Sequence, residues 1–200
     1  MQPARAIYLV LDMQNDLVHT DGPNGKGPLG EQVRKRDLIA KTARAIKKAR
    51  DAGLLVGFVR VGFTAGYPEC PPNSPVFSAA PANGLFKLGA WGTEIHPDLE
   101  QCEGDIQVTK HRVSPFYSTG LEAALRARNV TKIYCSGVST QAVVQATVRD
   151  GHDRDYEMIV LEDLSCAHND QEHENSMGSI ARFCKVEKSD SVTFSNPSST

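Results

Sequence analysis

Ala6-Ile7-Tyr8-Leu9-Val10-Leu11, followed at once by Asp12, is the stretch that decides the fold. Its apolar residues run without alternation, so neither face is suited to water. Such a run fits a strand covered on both sides, as in a parallel sheet. The acid directly after it stands at the strand's carboxyl end, where open parallel sheets hold their ligands.

The same signal recurs outward from this run. Leu54 to Val61, Asp105 to Lys110, Lys132 to Ser136 and Glu157 to Leu161 read as strands, and Val186 begins one more. Helical segments lie between them. Residues 31–52 place Val33, Ile39, Ala43, Ile46 and Ala49 near one stripe, with Gly53 as a stop. Thr119 to Asn129, residues 140–153 and Asp170 to Arg182 complete the set. Strands alternating with helices predict an α/β fold: a mostly parallel, doubly wound, Rossmann-like three-layer sheet. The 200 residues fit a single domain, 1–200. Thr20 to Gly30 is a Gly/Pro-rich loop. Residues 62–97 are irregular for so long that a functional loop or lid is expected there. The polar tail, 195–200, is expected to be mobile.

Composition narrows the partners. Charged residues make up 23% and the net charge is -2, with basic residues scattered. A nucleic-acid or polybasic membrane surface needs a concentrated positive patch, so neither partner is expected. No apolar run reaches the roughly 20 residues that span a bilayer. The chain enters its first strand almost directly after Met1-Gln2-Pro3, which leaves no room for a signal peptide and makes the cytoplasm the expected compartment. The 5 cysteines, Cys70, Cys102, Cys135, Cys166 and Cys184, form no close pairs and no zinc spacing, and read as reduced, structural thiols.

The strand-end rule picks out three places: Asp12, Lys110 and Gly137-Val138-Ser139-Thr140. Each alone has an ordinary explanation, as a turn residue, a solvated lysine and an N-cap. Their contexts favour a joint role. Leu11-Asp12-Met13-Gln14-Asn15-Asp16-Leu17 resembles the D-x-Q-N-D opening of the isochorismatase-like hydrolases. Thr109-Lys110-His111-Arg112-Val113-Ser114-Pro115-Phe116-Tyr117-Ser118-Thr119 is similar to that family's K-x-x-x-S-x-F-x-x-T segment. Gly137-Val138-Ser139-Thr140, with Ala146-Thr147 and Arg149-Asp150 behind it, resembles the G-V-x-T-x-x-C-V-x-x-T-x-x-D segment. Order and spacing agree over about residues 6 to 165.

The resemblance implies a catalytic Asp, Lys and Cys. Asp12 and Lys110 match the first two. The cysteine position falls on Val143, which has no nucleophile, proton or lone pair. A thioester route requires a thiolate and cannot run from there. Cys135, inside an apolar strand, is read as a buried structural thiol. Cysteine-less isochorismatases in the family cleave a vinyl ether by proton transfer and attack by water. In that scheme Asp12 is the general acid, with burial raising its pKa and Lys110 lowering it. The resemblance further implies a cis peptide at Val138–Ser139, and backbone amides of Ser139 and Val143 as donors to a carbonyl or carboxylate.

The nicotinamidase branch of the family holds a metal through Asp-x-His after its second strand. Arg60-Val61-Gly62-Phe63-Thr64 supplies neither residue, so no metal and no cofactor is expected. Gln14, Phe116, Trp91 and Gln141 are the candidate substrate-binding side chains. His111 is a pocket or surface residue, and Tyr67, Phe77 and Phe86 are candidates for specificity. The reading leaves three alternatives open. The chain is a hydrolase of a small vinyl ether or amide-type substrate that uses Asp12 and Lys110, a silent ligand-binding homologue, or a cysteine amidohydrolase whose nucleophile was replaced at Val143. The resemblance also implies a homodimer or homotetramer.

Overall fold

The computed structural model describes residues 5–197. Its strands are β1 (Arg5–Leu11), β2 (Leu55–Val61), β3 (Ile106–Lys110), β4 (Val130–Gly137), β5 (Glu157–Leu161) and β6 (Lys185–Glu187). Its helices are α1 (Asn15–Val18), α2 (Pro28–Lys35), α3 (Leu38–Asp51), α4 (Ala80–Asn83), α5 (Leu121–Ala127), α6 (Gln145–His152) and α7 (Asp170–Ile180). The strands form one parallel sheet in the order β3-β2-β1-β4-β5-β6. This is the expected α/β architecture. The chain starts mid-sheet, adds β2 and β3 on one side, then crosses over to add β4, β5 and β6 on the other. A crevice opens where the winding reverses, between the carboxyl ends of β1 and β4.

The unbroken apolar run of β1 is explained by its position, because alternate side chains enter different cores. Tyr8 and Val10 pack with Ala45, Ile46 and Ala49 of α3, whereas Ile7, Leu9 and Leu11 pack with Leu121 and Leu125 of α5 and Val148 of α6. Burying each large side chain contributes roughly 1.5–3 kcal/mol, so the two-sided burial fixes both the position and the register of β1.

Three expectations are modified. The helix read over 31–52 is two helices, because Asp37 is left-handed at φ 52° and interrupts the run between α2 and α3. Asp is among the few side chains that tolerate that region. The helix read over 140–153 opens with a wider π turn, Thr140–Val144, before α6 begins. The 62–97 segment has structure of its own: α4, a 3-10 turn at Trp91–Thr93, and an apolar cluster of Val61, Phe63, Phe77, Ala80 and Phe86. Near the carboxyl end, Phe194 packs on Tyr8 and Tyr134, and the Ala6 N–H donates to Asn196 Oδ1 at 2.9 Å. Residues 198–200 of the tail lie outside the described residues.

Candidate active site

The carboxyl ends of β1, β3 and β4 each contribute one part of the site. Asp12 follows β1 in the left-handed region, at φ 55°, with its N–H donating to Val59 O at 2.8 Å. The chain therefore turns sharply there and directs the carboxylate across the sheet end. Lys110 is the last residue of β3, in register with Val61 of β2. Its ammonium lies 2.9 Å from Asp12 Oδ2 and 3.2 Å from the Arg112 carbonyl. Both side chains are buried, at 5% and 1% residue exposure, and Asp12 Oδ1 has no hydrogen-bond partner among the described residues.

Burial pushes the Asp12 carboxyl above the usual carboxylate range. The Lys110 charge, the Lys110 hydrogen bond and the Val61 N–H oppose this without cancelling it. Desolvation thus outweighs ion pairing, the balance on which sequence alone is silent. A carboxylate of this kind holds a proton at a higher pH than a surface acid does, which suits it to proton transfer.

The third part follows β4. Gly137 has φ 147°, and a Cβ there would lie 2.0 Å from the Leu11 carbonyl oxygen. Only glycine lets β4 pass so close to the end of β1. The Val138–Ser139 peptide is cis, and the Thr140 N–H donates to Cys166 O at 2.9 Å. The π turn then brings Ser139, Ala142 and Val143 to a cavity of about 240 Å³ that Asp12 and Lys110 also line. The rest of its wall is largely apolar, with Leu17, Leu29, Val61, Val76, Phe77, Leu85, Phe86 and Val113, while Asn24 and His168 add polar groups.

Asp12, Lys110, Ser139 and Val143 therefore meet in one cavity. The four side chains expected to bind substrate do not line it. Gln14 is fully buried and clamps Val61, with Nε2 donating to its carbonyl at 3.0 Å and Oε1 accepting from its N–H at 2.8 Å. A primary amide carries the same donor and acceptor as a peptide group, so Gln14 extends the sheet instead of facing the cavity. Phe116 belongs to the core, stacked on Tyr156. Trp91 is 45% exposed, with its ring edge on His19. Gln141 stands behind His168, to which its Nε2 lies 2.9 Å from Nδ1. His111 bonds the Gly62 carbonyl through Nδ1 at 2.6 Å, outside this cavity.

Of the aromatic candidates in the long segment, Phe77 and Phe86 line the cavity and Tyr67 packs behind them on Phe63. Sequence reasoning missed Asn24 and His168 as cavity residues. The Gly/Pro-rich loop was a signal for the first; the second lies beyond β5 with no motif around it. Cys135 is fully buried and its thiol is pushed far above the usual range, so it is no substitute nucleophile. Among the described residues no three His, Cys, Asp or Glu side chains gather as a metal site would need, and no helix is long and apolar enough to cross a membrane.

A family model described as the isochorismatase domain matches residues 6–191. The ureidoacrylate amidohydrolase RutB of Methylobacterium radiotolerans is 32% identical over 185 residues, covering 82% of this chain and 68% of the relative. The RutB of Variovorax paradoxus is 34% identical over 172 residues, covering 78% and 67%. Among solved structures, an isochorismatase family protein from Desulfovibrio vulgaris superposes with a TM-score of 0.82 at 24% identity, covering 94% of this chain and 95% of that one. A cysteine hydrolase from Pseudomonas syringae gives 0.81 at 21% identity, covering 95% and 91%. At such identities the superpositions show the fold alone.

Proposed function

The chain belongs to the isochorismatase family of hydrolases, and on that premise we propose that it hydrolyses an amide-type C–N bond in a small, largely apolar substrate without a covalent thioester. One observation carries this reading. Val143 stands in the cavity wall where the family's thiol would be, beside a buried Asp12–Lys110 pair whose Asp12 Oδ1 has no partner among the described residues. Water replaces the thiolate as nucleophile. Its oxygen attacks the carbonyl carbon while its proton passes to the Asp12 carboxylate, made more basic by burial. The amides of Ser139 and Val143 hold the resulting oxyanion. Collapse breaks the C–N bond, and Asp12 returns its proton to the leaving nitrogen. Lys110 keeps the carboxylate oriented and balances its charge. The RutB relatives, named as amidohydrolases, favour this bond type.

A second reading rests on the same raised Asp12. A protonated carboxyl can protonate a vinyl ether carbon, and water then traps the oxocarbenium ion. The two readings differ in sign. In amide hydrolysis Asp12 must start ionised, so the rate falls as pH drops through its raised pKa. In vinyl ether cleavage it must start protonated, so the rate falls as pH rises through that value. The test is a pH–rate profile on small amides, ureides and vinyl ethers, with Asp12→Asn as control. We expect amide or ureide turnover with an acid-side limb, lowered by roughly 10²–10⁴-fold in the variant. Unaltered turnover by a correctly folded Asp12→Asn protein would refute both readings. Ligand binding with no turnover of any class would instead leave a silent binding protein.

A further inference from the structure

The proton transfers above leave one buried titratable side chain unused. His173 lies in the first turn of α7, whose start is fixed by Asn169, its side-chain oxygen accepting from the Glu172 N–H at 2.9 Å. His173 is buried, and α7 packs against the π turn Thr140–Val144. It does not line the cavity, so any effect on the reaction passes through a neighbour.

That neighbour is Thr140. Its hydroxyl oxygen lies 3.0 Å from His173 Nδ1, and both residues are buried. A hydroxyl both donates and accepts, so this bond forms with either tautomer of the neutral ring. Burial and the Arg36 charge hold His173 below the usual imidazole range, against Glu162, Asp170 and Glu174, which favours the neutral ring.

The π turn depends on such outside support. Its own bonds to the Ser139 carbonyl are long, 3.2 Å from the Ala142 N–H and 3.4 Å from the Val144 N–H. The shorter bonds come from elsewhere. The Thr140 N–H donates to Cys166 O at 2.9 Å, and Thr147 Oγ1 donates to Val143 O at 2.7 Å. Those two hold backbone atoms, whereas His173 holds a side chain. Thr140 stands between Ser139 and Val143, so a shift of Thr140 moves both of their amides.

We propose that His173 is a positioning residue: by bonding the Thr140 hydroxyl it fixes the turn whose Ser139 and Val143 amides hold the oxyanion. The catalytic consequence rests on the amide-hydrolysis reading; the hold on the turn does not. A buried hydroxyl left without a partner loses enough to shift a local equilibrium about tenfold or more.

The test has two arms. Hydrogen exchange followed by NMR on the full-length protein reads opening of the turn at the residue 140 N–H. We expect His173→Leu to speed exchange there about tenfold or more, with the β1 and β5 amides unchanged. His173→Asn, which keeps a polar atom near the Nδ1 position, should restore most of the protection. Thr140→Val should match His173→Leu, and the double variant should be no worse than either single one. Thr140→Val changes shape little and carries both arms should His173→Leu fail to fold. In the second arm, on an amide or ureide that the parent hydrolyses, kcat should fall about tenfold or more in His173→Leu with KM within about twofold. It should recover in His173→Asn. Unchanged exchange at residue 140, equal exchange in the Leu and Asn variants, losses that add in the double variant, or a change in KM alone would overturn the proposal. A parent that hydrolyses none of these compounds fails the hydrolytic reading instead, and the exchange arm still decides whether His173 holds the turn.

Discussion

Lys110 and Asp12 act on one another as a buried pair in the cavity wall, and this makes the pair open to single substitutions. Lys110 does most to lower the Asp12 pKa, by charge and by hydrogen bond, against the larger effect of burial. Replacing Lys110 with Met should raise that pKa further. We expect at least a tenfold loss of kcat and an acid-side limb displaced to higher pH, read from the pH–rate profile. An unmoved limb would mean that Asp12 is not the titrating group. Val143 makes the complementary case. Val143→Cys is close in volume and should cost less than about 1.5 kcal/mol, yet it puts a thiol in the cavity wall. The parent should keep its activity under iodoacetamide, since Cys135 is buried and Cys166, also buried, has its thiol pushed up to about 12. The variant should be inactivated in a time-dependent way. At this scale the sequence was enough to bring Asp12, Lys110, Ser139 and Val143 to one place, because each is tied to a strand end by a local motif. Gln14, Phe116, Trp91 and Gln141 do not line the cavity, because side-chain direction depends on neighbours far along the chain. The Gln14 amide, for example, is taken up by Val61.

Strands were easier to read than turns. An apolar run buried on both faces leaves a strong composition signal, and β1, β2, β4 and β5 fell where such runs lie. The break at Asp37 and the π turn at Thr140–Val144 hang on the backbone of one or a few residues, which no periodicity reveals. Gly137 is the most constrained of these points. Gly137→Ala should destabilise the protein by roughly 2–4 kcal/mol, through an unfavourable φ together with a clash against the Leu11 carbonyl. The check is the midpoint of urea unfolding. A change below 0.5 kcal/mol, the range usual for an inert surface site, would show that the β1–β4 crossing can relax.

Across the whole molecule, the cavity exists because distant segments meet at the winding reversal. The 62–97 segment supplies Phe77 and Phe86, and Asp16 holds it by accepting from the Phe86 N–H at 2.7 Å. Asp16→Ala leaves that N–H buried and unpaired, at a cost of about 1–3 kcal/mol. We expect a higher KM and new proteolytic cuts within 62–97, mapped by mass spectrometry; a variant as resistant as the parent would mean that apolar packing alone holds the segment. Sequence could flag this segment by its length but could not say which of its residues face inward. The strand order has one more result, which concerns synthesis. One edge of β1 pairs with β2, but its other edge matches Arg5 with Val130 and Leu11 with Gly137. During synthesis β1 must therefore keep a half-paired edge exposed until β4 emerges. At about 5–20 residues per second, that wait lasts roughly 6–25 seconds, an interval in which a chaperone has its clearest target.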